Sequence, residues 1–196
     1  MLYTFIEVFL VTILPVFFLE SGIVDYKYRI YTFGACFLLA LVSIIYRQIS
    51  TETLGFRQDN FGDAIQKYGL LTIVLLVLML FVFTNPWLKN LITPKISSVL
   101  TPWQYLLISV PIQQFIYFGY LNAVLKSHTQ NKFYIALVIG VLFSLMHLPW
   151  RSTQLTILTL VVGVVWGFLY TLVPNLFVST ATHMLLGGAL LLIHPF

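Results

Sequence analysis

The segment PIQQFIYFGYLN, Pro111–Asn122, decides how this chain is read. Two adjacent amides, Gln113 and Gln114, stand in the middle of an apolar run. Lipid offers an amide no partner, so such groups must bond to protein or to trapped water. Two histidines hold comparable places further on: His147 in LFSLMHLPW and His183 in STATHMLLGG. The three segments are expected to converge inside a membrane bundle and build one polar site.

Working outward, the composition agrees. Of the 196 residues, 60% are hydrophobic and only 8% charged. A soluble domain carries about 25% charged residues. This chain cannot cover itself with polar groups, so lipid must be its main solvent. The net charge of +4 comes from ten Lys and Arg against six acids, placed mostly in short loops. No basic stripe or motif points to nucleic acid. Cys36 is the only cysteine, which rules out an intrachain disulfide. The first segment has no basic leader and is interrupted by Glu7, unlike a cleaved signal. No linker divides the chain, so residues 1–196 are read as one multi-pass membrane domain, expected in the cell (plasma) membrane.

A helix needs about 20 apolar residues to span a bilayer. That rule gives an all-α membrane protein of about seven transmembrane helices. They are Leu2–Leu19, Ile30–Tyr46, Gly69–Phe83, Trp103–Leu125, Phe133–Leu148, Leu155–Leu172 and Asn175–Ile193. Pro15 is expected to bend the first. Ser50–Tyr68 mixes Glu52, Arg57, Asp59, Asp63 and Lys67 with Leu54, Phe56, Phe61 and Ile65. It is read as an interfacial amphipathic segment. Thr84–Pro102, punctuated by three prolines, is read as a loop. Basic residues divide evenly between the two faces, so the positive-inside rule sets no orientation.

On a helix, Gln113, Tyr117 and Tyr120 share one face, and Gln114, Phe118 and Asn122 the next. Each polar residue also has a structural account. Amides and hydroxyls in spans join helices at roughly 0.6 kcal/mol per bond. His147 lies near a helix end, where headgroups begin, and Glu7 near a helix start. His183 is more central, where polar residues tend to be functional. Gly163 and Gly167 have the spacing of close helix packing.

These residues, taken together, resemble the CAAX protease and bacteriocin-processing (CPBP, or Abi) family of intramembrane proteases. QQFIYFG (Gln113–Gly119) lies where that family has a Glu-Glu pair followed by an aromatic, Arg and Gly. FSLMH (Phe143–His147) fits its Phe-x-x-x-His motif. GVVWGFLYTLVPNLFVSTATHMLLG (Gly163–Gly187) looks like the helix pair carrying its third motif, His-x-x-x-Asn or Asp. The likeness covers a core of about residues 100–190. It implies catalytic positions at Gln113, Gln114, His147 and His183. In the family a glutamate activates water, the first histidine assists, and the second histidine with Asn stabilises the oxyanion. Here glutamines replace both glutamates, Phe118 replaces the arginine and Gly187 the final Asn.

The substitutions bear on chemistry. A desolvated carboxylate can act as a base near neutral pH, whereas an amide can only orient water. From Ala64 to the C-terminus there is no Asp or Glu to stand in. His147 is the remaining candidate base, with Gln114 holding the water. Loss of acids and arginine together avoids an unpaired charge in lipid. Two histidines fall short of the three protein ligands of catalytic zinc, so no metal or other cofactor is expected. Three functions fit. The first is a divergent endopeptidase of weak or lost activity, acting on a peptide or membrane-protein segment. The second is a non-catalytic scaffold that binds such a partner. The third is a small transporter using His147, His183 and Glu7.

Overall fold

The structure, a computed structural model, describes residues 2–87 and 101–193. Among the described residues it is helical, with no strand. Helix α1 runs from Leu2–Val8 through a π turn at Phe9–Ile13 to Leu14–Glu20. Helix α2 is Arg29–Arg47, entered through a tight turn at Tyr26–Tyr28, and α3 is Phe61–Thr84. Helix α4 begins at Pro102–Gln104 and ends at Leu121–Lys126, with two π stretches between, Tyr105–Ser109 and Gln114–Tyr120. Helices α5, α6 and α7 are Lys132–Leu145, Thr153–Leu172 and Leu176–Ile193.

Five stretches are long and apolar enough to cross a membrane: Tyr3–Glu20, Tyr26–Arg47, Phe61–Thr84, Lys132–Trp150 and Thr153–Leu172. The chain is an all-α membrane protein. Every segment expected to span forms a helix. The two outside the apolar set are α7, which is shorter, and α4, whose Gln104, Gln113, Gln114 and Asn122 lower its hydropathy. They are also the two that carry the amides and His183.

Both spans with an internal proline continue through it. Pro15 follows the π turn of α1, and Pro111 sits between the π stretches of α4. Proline supplies no N–H and crowds the preceding turn. A widened turn next to it absorbs both effects without ending the helix.

The segment Ser50–Tyr68 corrects the sequence reading. It is not one surface-lying element. Residues 51–60 form turns, and the helix that begins at Phe61 continues without a break to Thr84. The expected start at Gly69 was therefore late. Asp63 and Lys67 misled it: they pair with each other one turn apart on the exposed side, at 2.8 Å. Ala64, Tyr68 and Thr72 meanwhile face the core. The expected loop Thr84–Pro102 lies largely outside the described residues.

The turn at residues 51–60 is fastened to the α6–α7 junction. Tyr170 Oη donates to the Leu54 carbonyl at 2.7 Å, and the Leu176 N–H to that of Gly55 at 2.7 Å. Asn175 Nδ2 donates to the Arg57 carbonyl and to Asn60 Oδ1, while Asn60 Nδ2 donates to the Pro174 carbonyl. Tyr68 Oη donates to the Val173 carbonyl. Asn175 Oδ1 also accepts from the Val178 N–H, capping α7. Gly55 is required here: its φ is +91°, and a β-carbon would lie 2.1 Å from Tyr170 Oη. Beside the fastening, the Arg57 guanidinium bonds to Asp59 and holds its carboxyl below the usual carboxylate range.

Helices α5 and α6 pack backbone to backbone. A β-carbon on Gly163 would meet the Gly140 α-carbon at 3.0 Å, and one on Gly167 the Ala136 α-carbon at 3.2 Å. Gly163 and Gly167 are thus packing residues, and Gly140 is their partner. This close pair, with α4 and α7 beside it, forms the frame of the polar site.

Candidate functional site

The site is assembled from α4, the C-terminal end of α5, α6 and α7. Gln114, fully buried at the start of a π stretch, donates through Nε2 to Nδ1 of His183 at 2.9 Å. His183 is itself buried. With Nδ1 accepting, its proton sits on Nε2, which makes that edge a donor. His147 follows the end of α5, just before the turn Leu148–Trp150. Its Nδ1 donates to the Phe143 carbonyl at 2.8 Å, so Nε2 keeps its lone pair. One imidazole thus presents a donor and the other an acceptor.

Phe143 holds the two histidines together. Its ring meets His147 at 4.9 Å and His183 at 6.0 Å between centroids. The imidazoles are no further apart than those distances combined, within one helix diameter of about 10–12 Å. Trp166 of α6 covers His183 at 5.4 Å. Phe118 packs against Phe143, Trp166 and Tyr170, and is fully buried. Two polar atoms of the site, Gln114 Oε1 and Trp166 Nε1, are buried without a partner, as are both ends of the Asn122 amide further along α4.

Gln113 faces elsewhere. Its Nε2 donates to Ser109 Oγ at 2.8 Å, and its Oε1 is buried and unpartnered. It lines a small cavity with Val11, Thr12, Cys36, Tyr117 and Met146, with room for about one water. Of the four candidate residues, three therefore gather around Phe143. Gln113, one residue away in sequence, turns to this neighbouring cavity, whose wall includes Met146 and Tyr117, itself in ring contact with Phe143.

A family model described as type II CAAX prenyl endopeptidase, Rce1-like, matches residues 73–188. The chain belongs to this family. Comparison with curated proteins and with solved structures gives no match. The match contains all three quoted motifs, and it begins within α3, earlier than the core read from the sequence. The protein is thus a membrane-embedded relative of CAAX-type endopeptidases.

Two arrangements went unread in the sequence. Tyr105 occupies the room that a side chain at 187 would need: a β-carbon there would lie 2.6 Å from its hydroxyl oxygen. The position is the one where the resemblance expects Asn or Asp, and here a phenol from a different helix fills that room. Nothing in the local sequence of Tyr105 signals this, since the two residues are far apart in the chain. The second concerns Glu7, the only buried acid among the six. It is buried, and none of its hydrogen bonds reaches the histidines. It accepts from Arg47 and Ser43 of α2 and from Tyr120 Oη of α4 at 2.6 Å. Arg47 also donates to Thr4 Oγ1. Among the described residues no three His, Cys, Asp or Glu side chains gather as a metal-ligand group.

Proposed function

We propose that the protein is a divergent intramembrane endopeptidase relative that holds a peptide or membrane-protein segment beside His147 and His183, in the cell membrane, with weak or no cleavage. The observation that carries this is the Gln114–His183 hydrogen bond, an amide where the family motif places a carboxylate. Hydrolysis needs a base to take a proton from water as its oxygen attacks the peptide carbonyl. An amide cannot hold that proton. The one buried carboxylate, Glu7, is occupied by Arg47, Ser43 and Tyr120. A positioned general base contributes about 10²–10⁴-fold to rate, so its loss is severe. What the site keeps is binding chemistry. The Nε2–H of His183 suits a substrate carbonyl, and the aromatic wall of Phe118, Phe143 and Trp166 suits an apolar segment.

One observation favours a residual activity. The His147 bond to the Phe143 carbonyl leaves Nε2 as an acceptor, the form a general base requires. The test is turnover of prenylated or leader-type peptides by purified protein in detergent, with His147→Ala as the blank. Wild type is expected to match the blank while retaining the peptide. Robust turnover lost in His147→Ala would replace the binding role with catalysis by the histidine. Absence of both turnover and retention, with flux in proteoliposomes, would favour the transporter reading.

A further inference from the structure

Arg47 and Arg57 each hold a carboxylate with the same two-pronged edge of the guanidinium. Arg47 sends Nε and Nη2 to Glu7, and Arg57 sends Nε and Nη2 to Asp59. Arg29 has the same edge and nothing on it. Its Nη1 donates to the Tyr26 carbonyl at 3.4 Å, while Nε and Nη2 are buried and unpartnered. The residue is 2% exposed. Its Cζ lies 4.3 Å from the centroid of the Tyr26 ring and 5.4 Å from that of Trp150, two rings that meet edge to face. A cation–π contact leaves the in-plane N–H donors of the guanidinium without an acceptor. Tyr26 Oη is a third buried group without a partner.

No acid of the chain fills this place. Glu7, Asp25, Asp59 and Asp63 pair with Arg47, Lys27, Arg57 and Lys67, and Glu20 and Glu52 are exposed. Two parallel N–H donors and a hydroxyl, with no acceptor beside them, fit an oxyanion held in bidentate fashion. We propose that Arg29, with Tyr26 and Trp150, binds the phosphate of an anionic phospholipid headgroup.

Position selects the lipid. Tyr26 opens one apolar span and Trp150 closes another, so the fork lies where hydrocarbon gives way to headgroups. Ile23, Tyr28 and Tyr31, close to Arg29 in the chain, are exposed and offer apolar surface to acyl chains. Arg29 is also the first residue of the 19-residue helix α2, whose N-terminus favours an anion. Entry requires a rotamer change of Tyr26 or Trp150, both half-buried and both on short turns. Trp150 lies on the turn that follows His147, with its N–H bonded to the His147 carbonyl, but neither imidazole bonds to the fork, and the proposal stands whether or not the histidines cleave peptide.

The test titrates phosphatidylglycerol into the delipidated full chain in detergent. Native mass spectrometry counts bound lipid, and thermal unfolding follows its effect. Wild type is expected to retain a single lipid and to gain stability saturably, as a ligand of the folded state does. Arg29→Lys keeps the charge but not the fork, and affinity should fall at least about tenfold, the loss of one charge-assisted hydrogen bond. Tyr26→Phe keeps the ring and removes only the hydroxyl. It should weaken binding about threefold, within the range of one neutral hydrogen bond, and serves if Arg29→Lys does not fold. Absence of saturable binding by wild type overturns the proposal. So does equal affinity in wild type and Tyr26→Phe together with any folded Arg29→Lys. Inorganic phosphate matching the lipid would reassign the fork to a free anion. Displacement by a peptide acid and not by its amide would reassign it to a peptide terminus. Either result overturns the lipid assignment.

Discussion

The hydroxyl of Tyr105 lies against Gly187, so close that a β-carbon at 187 would meet it at 2.6 Å and the ring carbon Cε1 at 2.7 Å. The ring enters from α4 and settles one helical turn beyond His183. A family-type Asn at 187 thus has no room until the tyrosine leaves. Gly187→Asn alone should destabilise the protein by about 1–3 kcal/mol through overpacking. Trimming the partner, as Gly187→Asn with Tyr105→Ala, should recover part of that loss. Thermal unfolding in detergent checks both, and an unaffected single variant would show that Tyr105 yields freely.

The Gln114–His183 bond predicts a change visible without any substrate. Gln114→Leu removes the donor that holds His183 in its Nε2–H form. A buried acceptor without a partner costs about 1–3 kcal/mol. The ring should relax to a mixture of tautomers, read from nitrogen chemical shifts of labelled histidine. An unchanged single tautomer in Gln114→Leu would mean that another group sets it.

Restoring the family acid should depend on its cation. Gln114→Glu places a carboxylate beside His183, among Phe118, Phe143 and Trp166. Phe118→Arg alone would bury an unpaired charge in a fully enclosed position, at about 2.5–3.5 kcal/mol on insertion scales. The double variant gives each charge a partner and should be more stable than the sum of the singles. Double-mutant coupling of the unfolding free energies measures this. Additive effects would place residues 114 and 118 out of contact.

At the other end of α4, the Glu7–Arg47 pair should behave as a buried ion pair. Glu7→Gln strands Arg47 and is expected to cost about 3–5 kcal/mol. Glu7→Leu with Arg47→Met removes both charges and should cost less than that single change. A double variant worse than Glu7→Gln would instead assign the pair a net stabilising role.

Much of this architecture is written in local composition. Long apolar runs set the helices, and Gly163 and Gly167 announced the close α5–α6 contact. Gln114, His147 and His183 were recognisable because polar groups in lipid are costly unless they meet. Other features depend on contacts between distant residues. Gln113 and Gln114 are adjacent amides of the same type, and only their contacts show that Gln114 reaches His183 while Gln113 turns to Ser109. Asp63 and Lys67 read as a surface segment because sequence does not reveal that they pair and leave Ala64 and Tyr68 to the core. The burial of Glu7 is not legible from its place near the start of α1, because its three donors come from α2 and α4.

The fastening of residues 54–60 to the α6–α7 junction has a practical reach. The family match starts at residue 73, yet Leu54, Gly55, Arg57 and Asn60 supply the partners of Tyr170, Asn175 and Leu176. A fragment cut at that boundary would expose those groups and release α7 from its anchor, and with it His183. The family match is therefore shorter than the stretch whose contacts hold α7 in place, and truncation work on this protein should begin upstream of Leu54.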